Sequence, residues 1–208
     1  MKTPFLFFCG LVMTIAMSCA SSASGDVVTT FFAANNGQAG NMFNINVLEP
    51  GGVTIQAFDL NLAAGNWNVD LYTLDGSYIG NETTPAAWTL VDSVTGLPGA
   101  GIDIPTFWDV TDFSVDFGGQ AFYVNVTNGT GLRYTNGTGE GNLVADDGVI
   151  QIFEGTGNIA NFGTQFRPRV WNGSIHYSVP EPQVFLLFVS IACLVGGCSR
   201  RRKSSLSV

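Results

Sequence analysis

Apolar and polar residues alternate along most of the middle of this chain, with the period of two that is typical of half-buried β-strands. The clearest run is 67–74, where Trp67, Val69 and Leu71 are predicted to face inward and the residues between them outward. A second run, 53–62, changes parity near Ala57, which predicts a β-bulge or two short strands. No window of ten residues before the C-terminal tail carries a good helical stripe, so the pattern predicts an all-β domain.

Turn signals separate these runs, because a Gly that follows Asn, Asp or another Gly favours positive φ and tight hairpins. The pairs begin at Asn36, Asp75, Gly118, Asn128, Asn136, Asp147 and Asn172. About nine or ten short strands at this spacing predict a single antiparallel β-sandwich, jelly-roll-like, with a barrel as the alternative. Residues 83–88 and 94–105 are predicted to be longer loops.

The first 23 residues have the composition of a signal peptide. Lys2 supplies the positive charge, and an apolar stretch that is too short for a comfortable membrane span follows it. Small residues then offer cleavage after Ala20 or Ala23. Lipidation of Cys19 is an alternative, although the Leu that usually stands three places before such a cysteine is missing. We expect a signal helix here, ahead of a β-domain at 24–178.

Residues 179–208 form a tail of different composition, which begins with two prolines that interrupt any strand or helix. Residues 184–198 are apolar except for Ser190. As a helix this run would reach about 22 Å, against about 30 Å for a bilayer core. A basic cluster follows, which is expected to stay on the cytoplasmic side. The tail therefore predicts a hydrophobic helix that halts transfer across the membrane.

The tail resembles the PEP-CTERM sorting signal of bacterial envelope proteins, which consists of a Pro-Glu-Pro motif, an apolar helix and basic terminal residues. The motif residues are Val179, Pro180, Glu181 and Pro182. The basic residues are Arg200, Arg201, Arg202 and Lys203. The resemblance implies recognition and processing by exosortase, a membrane protease, and an association with exopolysaccharide. Parts of 80–177 also look similar to an extracellular β-domain that is found attached to such tails and has no assigned activity.

Charge narrows the partners of the central part, residues 24–178. It holds three arginines, no lysine and fifteen acidic residues, a formal charge of −12. Nucleic acid needs a positive surface, so it is excluded as a partner, and anionic lipid surfaces are disfavoured. The four cysteines of the chain lie in the leader and the tail, so the central part has no disulfide and no thiolate metal site.

Three kinds of site remain candidates. Loop aromatics could stack on sugars, and we single out Trp88, Trp108 and Tyr134. Carboxylates and backbone oxygens could bind Ca²⁺ near Glu140, Asp146 and Asp147. A triad would need His176, the only histidine, and a glycosidase pair would draw on acids that the sequence cannot rank. Those acids are Asp70, Asp109, Asp116, Glu140 and Glu154.

The leading expectation is an exported, non-enzymatic adhesion or matrix protein that signal peptidase and an exosortase-like protease process. It would be anchored in the membrane through its C-terminal helix before processing, and would then reach the cell surface or the extracellular matrix. A carbohydrate-binding module that takes up extracellular polysaccharide, with or without calcium, is the alternative. An enzyme acting on glycosides is the third possibility, and no catalytic residue is assigned.

Overall fold

The computed structural model describes residues 25–180, and within them the chain forms fourteen β-strands and one short 3₁₀ turn at Pro85–Ala87. The first seven strands are β1 (Asp26–Thr29), β2 (Asn36–Gln38), β3 (Gly40–Val47), β4 (Val53–Asn61), β5 (Gly65–Asp75), β6 (Thr89–Gly99) and β7 (Pro105–Val115). The other seven are β8 (Gly118–Val126), β9 (Leu132–Asn136), β10 (Leu143–Asp146), β11 (Ile150–Phe153), β12 (Gly155–Asn158), β13 (Gln165–Trp171) and β14 (Gly173–Ser178).

The strands form two sheets in which every pairing is antiparallel. The small sheet has the order β1-β14-β4-β7. The large sheet has ten strands in the order β2-β9-β13-β12-β3-β8-β5-β6, with β11 also pairing β3 and β10 pairing β11. The prediction of an all-β, antiparallel, sandwich-like domain is therefore confirmed.

The main core lies between the two sheets, because each sheet turns one face of alternating apolar residues toward the other. Phe43 of the large sheet stacks on Trp171 with ring centroids 4.5 Å apart, and Phe58 of the small sheet meets Trp171 edge to face at 6.1 Å. Val69 and Leu71 are fully buried here, which confirms the inward parity predicted for the run 67–74. Trp67 is only half-buried against this core.

A second, smaller core covers part of the outer face of the large sheet. Met42 and Tyr123 alternate in sequence with core residues, and so their side chains emerge on the opposite face. The β5–β6 connection brings Tyr78 and Trp88 onto this face, and Phe162 arrives from the β12–β13 loop. Two loops thus protect apolar groups that the sheet alone would leave in water.

One detail of register predicted from the sequence is confirmed, and two predicted strand boundaries are wrong. The bulge is confirmed, since the pairing register shifts between Ile55 and Ala57. The loop expected at 94–105 is wrong over its first half, because β6 continues to Gly99 and leaves a connection of 100–104. Pro98 is tolerated since β6 is an edge strand that pairs only with β5. Asn36 was expected in a turn and lies in β2.

The two ends of the domain are neighbours. Strands β1 and β14 pair, with Asp26 opposite Tyr177. Val179 follows β14 and packs against the main core, whereas Pro180 is exposed. The predicted signal helix and C-terminal hydrophobic helix lie outside the described residues. Both segments would join the domain at adjacent positions of one edge of the small sheet.

Candidate functional site

A groove of about 410 Å³ lies on the outer face of the large sheet. We call it the outer groove. Its floor is β3, which presents Asn44 and Asn46 at alternate positions, and Phe153 of β11 lies beside them. The alternation places both amides on one face, while Phe43, Ile45 and Val47 fill the main core from the other. The local pattern polar-apolar-polar therefore places two amides on the floor of a groove whose sheet is packed beneath.

Hydrogen bonds hold the floor amides in position. The amide nitrogen of Asn44 donates to Ser77 Oγ at 2.9 Å, and its oxygen accepts from the Tyr78 backbone N–H at 3.2 Å. The amide nitrogen of Asn46 donates to Gln151 Oε1 at 3.2 Å. Among residues 25–180, nothing donates to Asn46 Oδ1, and the Ser77 hydroxyl donates to no acceptor. These two groups keep hydrogen-bonding capacity for a ligand.

Glycines shape the walls of the outer groove. Gly76 has a φ of 85°, a backbone conformation that favours glycine, and its N–H donates to Gly119 O at 3.0 Å. Gly119 lies opposite Asn46 in the β3–β8 pairing and leaves the floor beside that amide uncovered. A Cβ at Gly119 would have only Gly76 O within 4 Å, at 3.7 Å. The space beside Gly119 is therefore open, and a larger side chain there would narrow the groove.

An ion-pair network clamps the two loops next to the groove. Arg167 bonds both oxygens of Glu140, at 3.1 and 3.2 Å, and also pairs with Glu82 of the β5–β6 connection. The hydroxyl of the buried Tyr78 donates to Glu140 as well. Burial, and then the contact with Glu140, raise the pKa of Tyr78 far above its ordinary value, so its proton stays in place.

Glu154 supports the same wall from below. It is buried, and its carboxylate accepts from the backbone N–H groups of Thr138 and Gly139 at 2.8 and 2.9 Å and from the Thr138 hydroxyl at 3.1 Å. Charge-assisted bonds of this kind are strong when they are shielded from water. The carboxylate thus fixes the turn that carries Glu140 and Gly141 to the groove.

The aromatic residues that the sequence singled out for stacking on sugars are packing residues. Trp88 is 7% exposed, Trp108 4% and Tyr134 0%. Trp88 anchors the β5–β6 connection, with its indole N–H donating to Asn81 O at 3.0 Å. Trp108 and Tyr134 lie on β7 and β9, and Trp108 is part of the main core. A position in or beside a predicted loop does not make a ring accessible, and a ring can stack on a sugar only when its face is accessible.

The residues proposed for Ca²⁺ do not converge. Asp147 accepts from two backbone N–H groups, of Val149 and Ile150, and from the Tyr177 hydroxyl at 2.6 Å. Asp146 accepts from Gly148 N–H and the Gln151 amide, and these bonds lower its pKa. Glu140 is held by Arg167 instead. Within 25–180 there is no group of three or more His, Cys, Asp or Glu residues that could hold a metal ion.

His176 lies on the outer face of the small sheet. Its Nε2 is 2.8 Å from Asp59 Oδ2, and the ring of Phe107 meets it edge to face at 5.5 Å. Ser174 is on the same strand but bonds the hydroxyl of Thr29 at 3.0 Å. Among the acids considered for a glycosidase pair, Asp70 accepts hydrogen bonds from the hydroxyls of Tyr72 and Ser93. Glu140 and Glu154 hold the loop that forms one wall of the outer groove, Glu140 through Arg167 and Glu154 through the backbone N–H groups of Thr138 and Gly139.

The tail signal is outside the part of the chain that can be described, apart from Val179 and Pro180. Glu181, Pro182 and the basic residues from Arg200 to Lys203 are not covered. Among residues 25–180 no helix is long and apolar enough to cross a bilayer.

Sequence reasoning missed the residues of the outer groove. Its signal was present in 43–47, where two Asn alternate with three apolar residues, and in the Gly118–Gly119 pair. Neither signal says which loops will cover the sheet, because the clamp joins residues that are far apart in sequence.

The fold and the groove together define an all-β, antiparallel, sandwich-like domain with an open, uncharged groove on one sheet. No model of a known protein family matches the chain, and no curated protein matches it.

Proposed function

We propose that this chain is an exported envelope or extracellular-matrix protein whose jelly-roll-like β-domain is a non-enzymatic adhesion or matrix-building module. Signal peptidase removes the leader. The C-terminal tail, of the PEP-CTERM kind, holds the protein in the membrane until an exosortase-like protease acts at residues 179–182. The domain then reaches the cell surface or the matrix.

The observation that carries the proposal is the separation of charge and hydrophobicity along the chain. Five of the eight basic residues lie at the two ends, and the central part has only three arginines against fifteen acids. An apolar run beside a basic cluster is the pattern of a segment that stops in a membrane. The pairing of Asp26 with Tyr177 is consistent with it, since a domain tethered at one edge leaves its other surfaces free.

Several acidic side chains of the domain serve its own structure. Glu154 and Asp147 accept three hydrogen bonds each, and Asp103 accepts two. These carboxylates hold turns and loops in place. A large negative charge also keeps such a domain soluble outside the cell.

Mass spectrometry of the mature protein from the cell surface and the medium tests the proposal. We expect the leader to be absent and the C-terminus to lie close to Pro182. Deletion of 179–208 should send the protein to the medium with no second cleavage. Unchanged location and mass after this deletion would exclude sorting by the tail.

A matched variant separates recognition from anchoring. Replacement of Pro180, Glu181 and Pro182 by Ala leaves the apolar run and the basic cluster in place. We expect this triple variant to accumulate uncleaved in the membrane fraction. Normal processing of the variant would show that the motif is not the recognition element.

A further inference from the structure

We propose that the outer groove is a binding site for a neutral saccharide. This inference rests on the proposed function, because it names the chemical class of ligand that the adhesion domain takes. It concerns a different surface from that of the sequence candidates Trp88, Trp108 and Tyr134, which are buried.

The chemistry of the floor fits hydroxyl-rich ligands. A sugar hydroxyl donates and accepts hydrogen bonds, and a carboxamide does both at one position. The free Asn46 Oδ1 can accept from a sugar hydroxyl, while the Ser77 hydroxyl can donate to a sugar oxygen. Phe153 adds an apolar surface beside these groups, against which the C–H face of a sugar ring can pack. A few polar groups beside apolar surface is the composition of a specific binding site.

The electrostatics select a neutral ligand. No side chain that lines the groove is charged. The surrounding domain carries a formal charge of −12, so acidic polysaccharides and phosphorylated ligands are repelled. Arg167, the cation of the clamp beside the walls, is occupied by Glu82 and Glu140. A ligand held without ion pairs should bind with little dependence on salt.

Hydrogen bonds and ion pairs hold the groups around the site in place. Asn44 is fixed by two hydrogen bonds, and the walls are held by the Arg167 clamp and by Glu154. A preformed site loses little conformational entropy on binding. This property suits a weak, neutral ligand, whose contacts supply no large electrostatic term.

A steric variant tests the location of the site. Gly119→Thr adds a side chain beside Asn46, where the open space leaves room for it without strain on the fold. Threonine is also favoured in a β-strand, so stability should not fall. Gly51→Thr is the matched control, because a Cβ at Gly51 has only Glu49 Oε1 within 4 Å, at 3.8 Å, and Gly51 lies in the turn between β3 and β4, outside the groove lining.

The experiment applies the purified full-length chain to an array of neutral and acidic polysaccharides, followed by titration with soluble oligosaccharide. We expect binding to at least one neutral polysaccharide, a loss of about tenfold or more in Gly119→Thr and in Asn46→Leu, and unchanged affinity in Gly51→Thr. Phe153→Ala should weaken binding, whereas Phe107→Ala, on the other sheet, should not. Chelator should have no effect, and affinity should change less than about twofold between low and high salt.

Three outcomes would overturn the inference: no binding to any neutral polysaccharide, binding only to acidic polysaccharides or to protein, or binding that Gly119→Thr leaves intact. None of them affects the sorting proposal, because that is judged by the mass and location of the tail-deleted protein. If sorting fails while binding in the array is intact, the hypothesis of sorting by the tail is rejected and the hypothesis of saccharide binding in the outer groove stands.

Discussion

The outer faces of the two sheets differ in how far loops cover them. On the large sheet, Met42, Tyr78, Trp88 and Tyr123 build a second core under two loops, and the outer groove opens beside it. The outer face of the small sheet lacks such a cover around Phe107, which is 57% exposed. The β5–β6 connection of 76–88 accounts for part of this difference, because it is long enough to fold back over its own sheet and place Tyr78 and Trp88 on it.

The largest expected effect comes from breaking the covered face. Trp88→Ala removes a buried indole that packs near Tyr123 and Phe162, with ring centroids 5.9 and 6.2 Å away. We expect the free energy of unfolding to fall by about 3 kcal/mol, the usual cost of truncating a buried aromatic residue. Urea denaturation followed by tryptophan fluorescence, with circular dichroism as a second probe, measures the loss.

Phe107→Ala is the comparison on the uncovered face. Its ring is mostly in water already, so the loss should stay within about 0.5 kcal/mol. Equal effects of the two substitutions would contradict the contrast between the faces, and a negligible loss in Trp88→Ala would mean that the second core adds nothing to stability.

The features of the fold that could be predicted from the sequence depend on one strand alone, and those that could not depend on tertiary pairing. Period-two alternation was enough for the parity of Val69 and Leu71, since it depends only on neighbours along one strand. The change of parity near Ala57 likewise announced the bulge. Strands of three or four residues, such as β2 and β12, were missed because their Gly and Asn residues have low strand propensity and tertiary pairing overrides it.

The candidate site was harder to foresee. Trp88 looked like a loop aromatic available to a ligand, and only the packing with Tyr123 makes it part of a core. The clamp joins Glu82, Glu140 and Arg167 across 85 and 27 residues of sequence, so no local pattern contains it. Hydrophobic periodicity gives the face of a residue but not what lies above that face.

A second, smaller effect compares the contacts of Asp and Glu side chains on the two faces. Arg167→Gln leaves two carboxylates without their common partner, so we expect a loss of about 1 kcal/mol in unfolding free energy at low salt. His176→Gln removes the contact with Asp59 and the edge-to-face packing against the exposed Phe107, and it should cost less, about 0.3 kcal/mol.

The Arg167 clamp should also limit the motion of the two loops that it joins. In Arg167→Gln, amide hydrogen exchange should speed up in 76–88 and 137–142, the loops that Glu82 and Glu140 occupy, while exchange in β3 and β8 stays unchanged. Uniform exchange across the domain would show that these loops are held by other contacts.

The smallest effect concerns the 100–104 connection, which joins β6 of the large sheet to β7 of the small sheet. Asp103, in the 100–104 connection, has a φ of 64° and accepts from Ala34 N–H at 2.7 Å and from the Asn61 amide at 2.9 Å. These two bonds lower its pKa below the ordinary value of 3.8. A lowered pKa means that the folded state gains stability from the carboxylate above about pH 4, and loses it as the pH falls through the folded-state pKa.

Asp103→Asn isolates this contribution, because Asn keeps an accepting oxygen and tolerates positive φ but cannot be protonated in this range. The unfolding free energies of wild type and variant should run parallel between about pH 5 and 7, and the gap between them should close below about pH 4. Urea titrations at a series of pH values measure both limbs. A gap that persists unchanged into acid would show that the connection is held by its backbone geometry, and that the charge on Asp103 adds nothing to it.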